Sequence, residues 1–142
     1  VVLDFPDPSN YSVGKLYSTT LYTKVRRLLA PGGKLVVQST SPLLARRSFW
    51  CVVSTLRTSG FTVMPYRVFV PSFADWGFVL AGLESFDRPT RLPPAALAYL
   101  DPRTLEHLFD LPADVSEVPV DANRLNNQAL VSYYLREWSR WE

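Results

Sequence analysis

Two short apolar segments separated by a helical pattern constrain the fold of this chain more than any other feature of its sequence. Val1 to Asp4 has the character of a buried strand, and the Pro-Asp-Pro run at residues 6–8 prevents its continuation. From Lys15 to Ala30, apolar residues recur at helical spacing until Pro31-Gly32-Gly33 ends the pattern. Lys34 to Gln38 is a second strand. A strand, a helix and a strand in this order predict a right-handed crossover between parallel strands.

The next segment extends this pattern to an antiparallel hairpin. Ser41-Pro42 has the residue types of a helix start, and the helix is predicted to end near Gly60. Phe61 to Val70 and Trp76 to Leu83 are strand candidates with a short connection, and Pro65 indicates an edge strand or a bulge. The sequence therefore predicts an α/β fold, the carboxyl half of a doubly wound sheet that ends in an antiparallel hairpin.

A change of composition after Gly82 divides the chain. Residues 1–83 form the predicted sheet domain, and residues 84–142 begin with a proline-rich connection and continue as a small helical extension packed on it. Asp101-Pro102 predicts a capped helix that runs to about Phe109. Apolar residues at helical spacing between Asn126 and Trp141 predict a terminal amphipathic helix that docks on the domain or on a segment outside this chain.

The composition narrows the classes of function. The 142 residues carry 15 basic and 13 acidic side chains, and the arginines form doublets rather than one basic stripe, so nucleic acid is not an expected partner. The single cysteine, Cys51, lies in an apolar run and predicts a buried thiol in a reducing, cytoplasmic compartment. The single histidine, His107, is predicted to be a surface helix residue, and no metal site is expected. No apolar run approaches the roughly 20 residues that cross a bilayer.

Asp4 and Asp7 are the strongest candidates for chemistry. In the crossover arrangement Asp4 and Gln38 both fall at carboxyl ends of parallel strands, the edge at which open α/β sheets bind ligands. A cationic substrate suits two carboxylates there, because an amine with a pKa near ~10 is protonated at neutral pH and must lose a proton before it acts as a nucleophile. From spacing alone, a cap or turn role for both acids explains the pattern slightly better.

Five motifs in register resemble the second half of spermidine synthases. They are Asp4-x-x-Asp7-Pro8, Lys15-Leu16-Tyr17, Pro31-Gly32-Gly33, Val37-Gln38 and the stretch from Pro71-Ser72-Phe73 to Trp76-Gly77-Phe78. The resemblance covers about residues 1–82. The tail, with Asn123-Arg124-Leu125 and Tyr133-Tyr134, resembles bacterial members whose synthase domain is fused to a membrane-spanning segment.

The resemblance implies a fold similar to class I methyltransferases and the transfer of an aminopropyl group from decarboxylated S-adenosylmethionine, the co-substrate, to a diamine such as putrescine. It implies that Asp4 is the general base, that Asp7 binds the far amine and that Gln38 lines the same pocket. Trp76 matches an apolar pocket residue, and Phe73 occupies a substrate-binding position at which the family usually has a tyrosine. Since phenylalanine cannot supply a hydroxyl to an amine, we expect the substrate preference to differ.

Part of the family's pattern is not in this chain. The glycine-rich cofactor loop and the acid of the following strand are missing, and Gly32-Gly33 does not replace the loop because it follows a helix and precedes a strand. The sequence starts without Met inside a predicted strand, so we expect a fragment that is inactive alone, with a sheet edge open to dimerisation. The parent protein is expected to act in the cytoplasm, with a membrane anchor if the resemblance of the tail holds.

Two other functions are compatible with the sequence. The same sheet with an acid-proline turn also serves S-adenosylmethionine-dependent methyl transfer to small molecules, and the mass of the product separates the two reactions. A catalytically idle domain that binds a ligand or tethers partners of a membrane protein is favoured slightly by Phe73 and by Ser9-Asn10, which replace the tyrosine and the Gly-Pro of the family.

Overall fold

The computed structural model describes residues 1–72 and 74–140 and shows a four-stranded mixed sheet with helices. The strands are β1 (Val2–Leu3), β2 (Lys34–Ser39), β3 (Thr62–Val70) and β4 (Ala74–Gly82). They lie in the order β1-β2-β4-β3; β1 and β2 are parallel, whereas β4 is antiparallel to both β2 and β3. The predicted α/β fold with a terminal antiparallel hairpin is confirmed, and Pro65 lies in the edge strand β3.

Five α-helices and one 3-10 helix lie within the described residues. They are α1 (Tyr11–Gly14), a 3-10 helix (Lys15–Tyr17), α2 (Thr19–Leu28), α3 (Arg46–Thr58), α4 (Pro102–His107) and α5 (Ala129–Trp138). The predicted cap of α4 is confirmed, because Asp101 accepts a hydrogen bond from the backbone N–H of Thr104 at 2.7 Å. Of the helices in this part of the chain, none is both long and apolar enough to cross a bilayer.

The single helix predicted from Lys15 to Ala30 is wrong at its amino-terminal end. The chain forms α1 and the 3-10 helix first, and Ser18 then adopts an extended conformation. The Ser18 hydroxyl accepts a hydrogen bond from the backbone N–H of Leu21 at 3.3 Å, so it caps α2. Apolar spacing continues across this cap and does not reveal the break.

The start of α3 also differs from the prediction at Ser41-Pro42. The Ser41 hydroxyl accepts a hydrogen bond from the backbone N–H of Leu44 in a turn that precedes the helix. The cap of α3 comes from α5, because the Glu137 carboxylate accepts hydrogen bonds from the backbone N–H groups of Arg47 at 2.7 Å and Ser48 at 3.0 Å. The free backbone N–H groups at the start of this helix are therefore satisfied by a side chain about 90 residues away in the sequence.

The two faces of the sheet differ in burial. Along β2, Leu35 and Val37 are fully buried, whereas Val36 and Gln38, which point to the opposite face, are half-buried. Helix α3 packs against β2, β3 and β4 on the buried face. The face that carries Val36 and Gln38 is therefore the one accessible to a ligand.

The carboxyl-terminal segment is anchored to the rest of the molecule by Asn123, which is fully buried. Its side-chain amide donates to the carbonyl oxygen of Gly14 at 2.8 Å, and its backbone N–H donates to the Thr55 hydroxyl at 2.8 Å. Its side-chain oxygen accepts from the backbone N–H of Leu130 at 3.3 Å. Helix α5 approaches α1 so closely that a Cβ at Gly14 would collide with Val131.

Candidate active site

The loop between Asp4 and Asp7 is held in place by Tyr17 of the 3-10 helix. The Tyr17 hydroxyl lies 3.0 Å from the carbonyl oxygens of both Phe5 and Pro6, to which it donates, and its ring meets Phe5 edge-on with centroids 5.9 Å apart. Burial, together with the charges of Asp7 and Asp4, raises the pKa of Tyr17 well above its usual range, so the hydroxyl keeps its proton. The part-buried hydrogen bonds of Tyr17 therefore hold the loop that separates the two acids.

A cavity of about 480 Å³ opens beside this loop, at the carboxyl ends of β1 and β2. Asp4, Asp7 and Gln38 supply polar groups to it. The rest of its lining is largely apolar: Val2, Leu3, Val36, Val70, Trp76 and Phe78. Four of the predicted site residues thus surround one concavity, while the fifth, Phe73, lies outside the described residues.

Gln38 connects Asp4 to Trp76 across the sheet. With its amide nitrogen directed toward Asp4, the orientation that satisfies both ends of the amide, Gln38 donates to the Asp4 carboxylate and accepts from the Trp76 indole N–H at 3.1 Å. The register of β2 and β4, in which Gln38 faces Phe78, brings these side chains to the same end of the sheet. Asp4 itself is exposed at the edge of the cavity, and Gln38 orients its carboxylate.

Asp7 is half-buried and receives a hydrogen bond from the carboxyl-terminal helix. The Tyr134 hydroxyl on α5 donates to Asp7 Oδ2 at 3.1 Å. Burial raises the pKa of Asp7, and the hydrogen bond from Tyr134 acts in the opposite direction. Sequence reasoning missed Tyr134 as a site residue, because Tyr133-Tyr134 was only part of a tail motif and helical spacing does not tell which tyrosine reaches an acid 127 residues away.

The two acids of the cavity have no basic partner among the described residues. The ion pairs in this part of the chain are formed by other acids, namely Glu117 with Arg57, Asp75 with Arg67, and Asp110 with Arg88 and His107. Two carboxylates beside an apolar lining create a negative potential that a cationic ligand would relieve. A group of three or more side chains able to hold a metal ion is not found in the described residues.

Cys51 and His107, the single cysteine and the single histidine of the sequence, lie outside this cavity. Cys51 is fully buried, and burial raises the pKa of its thiol to about 12, so it lacks the thiolate character of a nucleophile. His107 lies at the end of α4 with an exposed side chain, as predicted, and its Nδ1 is 2.9 Å from an oxygen of Asp110. Neither residue lines the cavity of Asp4 and Asp7.

Comparisons with known proteins agree on one family. Residues 1–87 match the sequence model described as the spermine/spermidine synthase domain. The chain is 49% identical over 143 residues to a polyamine aminopropyltransferase of Leptospira interrogans, with 99% of this chain and 28% of the relative covered. It is 45% identical to polyamine aminopropyltransferase 2 of Ralstonia nicotianae, with 96% of this chain and 27% of the relative covered. A polyamine aminopropyltransferase of Mycobacterium tuberculosis is 40% identical, with 97% and 27% covered.

Each of these relatives is much longer than the present chain. The chain spans about a quarter of their length, between 27% and 28% in the three cases. The similarity continues through the carboxyl-terminal extension, because 96% to 99% of the chain is aligned whereas the family domain ends at residue 87. The segment that carries Tyr134 is therefore shared with these relatives as a stretch of sequence.

Proposed function

The chain belongs to the spermine/spermidine synthase family, and on this premise we propose that the native polypeptide carrying it is an aminopropyltransferase. Its substrates are decarboxylated S-adenosylmethionine and a diamine such as putrescine. Asp4 accepts a proton from the attacking ammonium group, and the freed nitrogen lone pair forms the new N–C bond. The electron pair of the breaking C–S bond leaves with sulfur, which turns the sulfonium into a neutral thioether.

The observation that carries this proposal is the pair of carboxylates without a basic partner in an apolar cavity. A diamine brings one positive charge at each end and a short hydrocarbon chain between them, which matches acids beside Val36 and Phe78. The volume of about 480 Å³ lies within the range of small-molecule sites, roughly 300 to 1,000 Å³. The cavity thus complements both the charge and the apolar surface of the proposed substrate.

Each cavity residue has a different proposed role, which follows from its position. Asp4, oriented by Gln38, stands at the exposed edge where the amine and the sulfonium would meet, and acts as the base. Asp7 holds the far ammonium group. Its carboxylate is half-buried and forms no ion pair with a basic side chain among the described residues. Trp76 forms part of the apolar wall. Phe73 is proposed to bind the substrate, because it matches a substrate-binding position of the family.

Rate enhancement in this scheme comes mainly from positioning. Bringing two substrates together in line converts a bimolecular displacement into a local step, and a water-poor cavity strengthens the attraction between the carboxylates and the ammonium groups. Neither a metal nor a covalent enzyme intermediate is needed for a displacement at a sulfonium. The residues that hold the adenosine are proposed to lie outside this chain, because a glycine-rich loop is not part of its sequence.

The test is an assay of the native polypeptide with putrescine and either decarboxylated or ordinary S-adenosylmethionine. We expect the mass of the product to show one added aminopropyl group with the decarboxylated co-substrate. Addition of a methyl group from ordinary S-adenosylmethionine would instead show a methyltransferase. Calorimetric binding of putrescine without any product would show an idle binding domain, and both results would contradict the proposal.

We also propose that residues 84–142 act as an extension of the sheet domain and that the open edge of β1 supports self-association. Among the described strands β1 pairs with β2 on one side, and Val1 and Val2 are 55% and 75% exposed. The measurement is the solution mass of the 142-residue chain at several concentrations. A monomer at every concentration would contradict association through this edge.

A further inference from the structure

We propose that Tyr134 is a positioning residue of the diamine site, which holds the Asp7 carboxylate in the orientation that receives the far ammonium group. This inference rests on the proposed function and adds a residue that lies outside the family domain of residues 1–87. It makes the carboxyl-terminal extension a working part of the site rather than a separate appendage.

The contact between Tyr134 and Asp7 leaves room for a ligand. The phenol donates to Oδ2 at 3.1 Å, and among the described residues no other side chain forms a hydrogen bond with the Asp7 carboxylate. A carboxylate has about four acceptor positions, so one hydrogen bond restrains its rotation while the other positions stay available. The same carboxylate lines the cavity beside Asp4.

Helix α5 is held rigidly enough to aim Tyr134. Leu130 and Val131 are buried against the core, and Glu137 caps α3 from the same helix. The aromatic rings of Tyr134 and Trp138, one turn apart, lie 5.6 Å from centroid to centroid. Packing therefore fixes the backbone that carries the phenol, and the ring contact with Trp138 restricts the side chain.

The groups around Asp7 make its protonation state depend on this hydrogen bond. Among the described residues, the titratable groups that face Asp7 are Tyr134 from α5, Tyr17 from the 3-10 helix and Asp4 after β1, and none of these three is a cation. Burial raises the pKa of Asp7 and so favours its neutral form, which would bind an ammonium group poorly. A donated hydrogen bond favours the ionised form, because a charged acceptor strengthens the bond.

The experiment compares Tyr134→Phe with Tyr133→Phe in the native polypeptide, using putrescine as the varied substrate. Tyr134→Phe removes only the hydroxyl, and we expect KM for putrescine to rise about tenfold with a smaller change in kcat. The acid limb of kcat/KM should move to higher pH, because loss of the hydrogen bond leaves burial unopposed and raises the pKa of Asp7 further. Loosening of α5 alone would instead expose Asp7, lower its pKa and move this limb to lower pH.

Tyr133→Phe is the matched control on the same helix. The Tyr133 hydroxyl donates to Asp121 Oδ2 at 3.1 Å and accepts from the Asp121 backbone N–H at 3.2 Å, far in sequence from the loop of Asp7. We expect this variant to lose some thermal stability and to keep the wild-type KM and acid limb. Equal effects of the two substitutions would show general loosening of α5 and would overturn the inference.

Calorimetric binding of putrescine, measured alongside turnover, separates this inference from the proposed function. If the wild-type protein turns over and Tyr134→Phe has the same KM and pH profile, the inference fails and the proposed function stands. If the wild-type protein binds putrescine without turnover, the proposed function fails, and the inference survives only if Tyr134→Phe binds about tenfold more weakly. Absence of putrescine binding by the wild-type protein overturns both.

Discussion

Among the acid-lined depressions of the described residues, two differ in the surroundings of their acids. In the cavity at the sheet edge, Asp4 and Asp7 have no basic partner among the described residues. Beside the edge strand β3, Asp110 lies 2.9 Å from His107 and 3.7 Å from Arg88. The hydrogen bond with His107 and the nearby arginines lower the pKa of Asp110, whereas burial raises the pKa of Asp7.

The proposed ligand site is not the larger of these two depressions. The depression lined by Arg67, Arg88, His107 and Asp110 has a volume of about 780 Å³, larger than the 480 Å³ of the cavity at the sheet edge. Its acid is matched by cations of the same chain, so a cationic ligand would have to compete with them. Under the proposed function, an acid is available to a cationic substrate because it lacks an internal counter-ion and not because its depression is large.

The largest expected effect is that of Asp4→Asn. Asparagine keeps the shape and can still contact Gln38, but it cannot accept the proton of the attacking amine. We expect kcat of the native polypeptide to fall by about 10² to 10⁴ fold. Steady-state kinetics with putrescine measure this, and retention of wild-type kcat would exclude Asp4 as the base.

Glu137 is a third acid for this comparison, because the hydrogen-bond donors to its carboxylate all come from helix α3. Its carboxylate accepts from two backbone N–H groups at the start of α3 and from the hydroxyl of Ser48 at 2.7 Å. Glu137→Ala leaves these donors unsatisfied, and we expect the free energy of unfolding to fall by about 3 kcal/mol. Denaturant unfolding measures the loss. Glu137→Gln retains an acceptor oxygen and should lose clearly less, so equal losses would contradict the capping role.

Asp7→Asn should lower substrate affinity while it increases stability. The amide keeps an acceptor for Tyr134 but loses the charge that holds the far ammonium group, and we expect KM for putrescine to rise about tenfold or more. Because the pKa of Asp7 is raised in the folded protein, the ionised carboxylate destabilises the fold above that pKa. The variant should therefore have the higher melting temperature at neutral pH.

The pH dependence of this stability difference provides a second check on Asp7. Below the folded pKa the wild-type carboxyl group is protonated, so its stability approaches that of Asp7→Asn as the pH falls toward the ordinary value of 3.8. Melting temperatures of both proteins across this window measure the effect. A gap that widens as the pH falls would mean that the pKa of Asp7 is lowered by folding.

The smallest expected effect is that of Asp110→Asn. This carboxyl group is exposed, and its pKa is lowered in the folded protein, so any stability that it contributes is present above its unfolded pKa and lost as the pH falls through its folded pKa. We expect unchanged kcat and KM and, at neutral pH, hardly any change in melting temperature. A large loss of turnover would show that the depression of Asp110 also takes part in the reaction, and not only the cavity of Asp4 and Asp7.

Local patterns predicted much of the fold and part of the site. The apolar runs of β1 and β2, the glycine turn after α2 and the acid-proline cap of α4 are encoded by neighbouring residues. Asp4, Asp7 and Gln38 could be placed at one edge because parallel strands align their carboxyl ends. The start of α3 and the break at Ser18 were missed, because a hydroxyl cap within a helical pattern and a cap from another helix leave apolar spacing unchanged.

The sequence by itself determined the order of strands and helices, the position of the acid pair after the first strand and the family resemblance. Only the tertiary structure decided that Tyr134 reaches Asp7, that Glu137 caps α3 and that the cavity acids lack a cation among the described residues. The physical reason is the distance along the chain over which each interaction acts. Periodicity and turn chemistry act over a few residues, whereas a hydrogen bond across 127 residues depends on how the helices pack around a shared core.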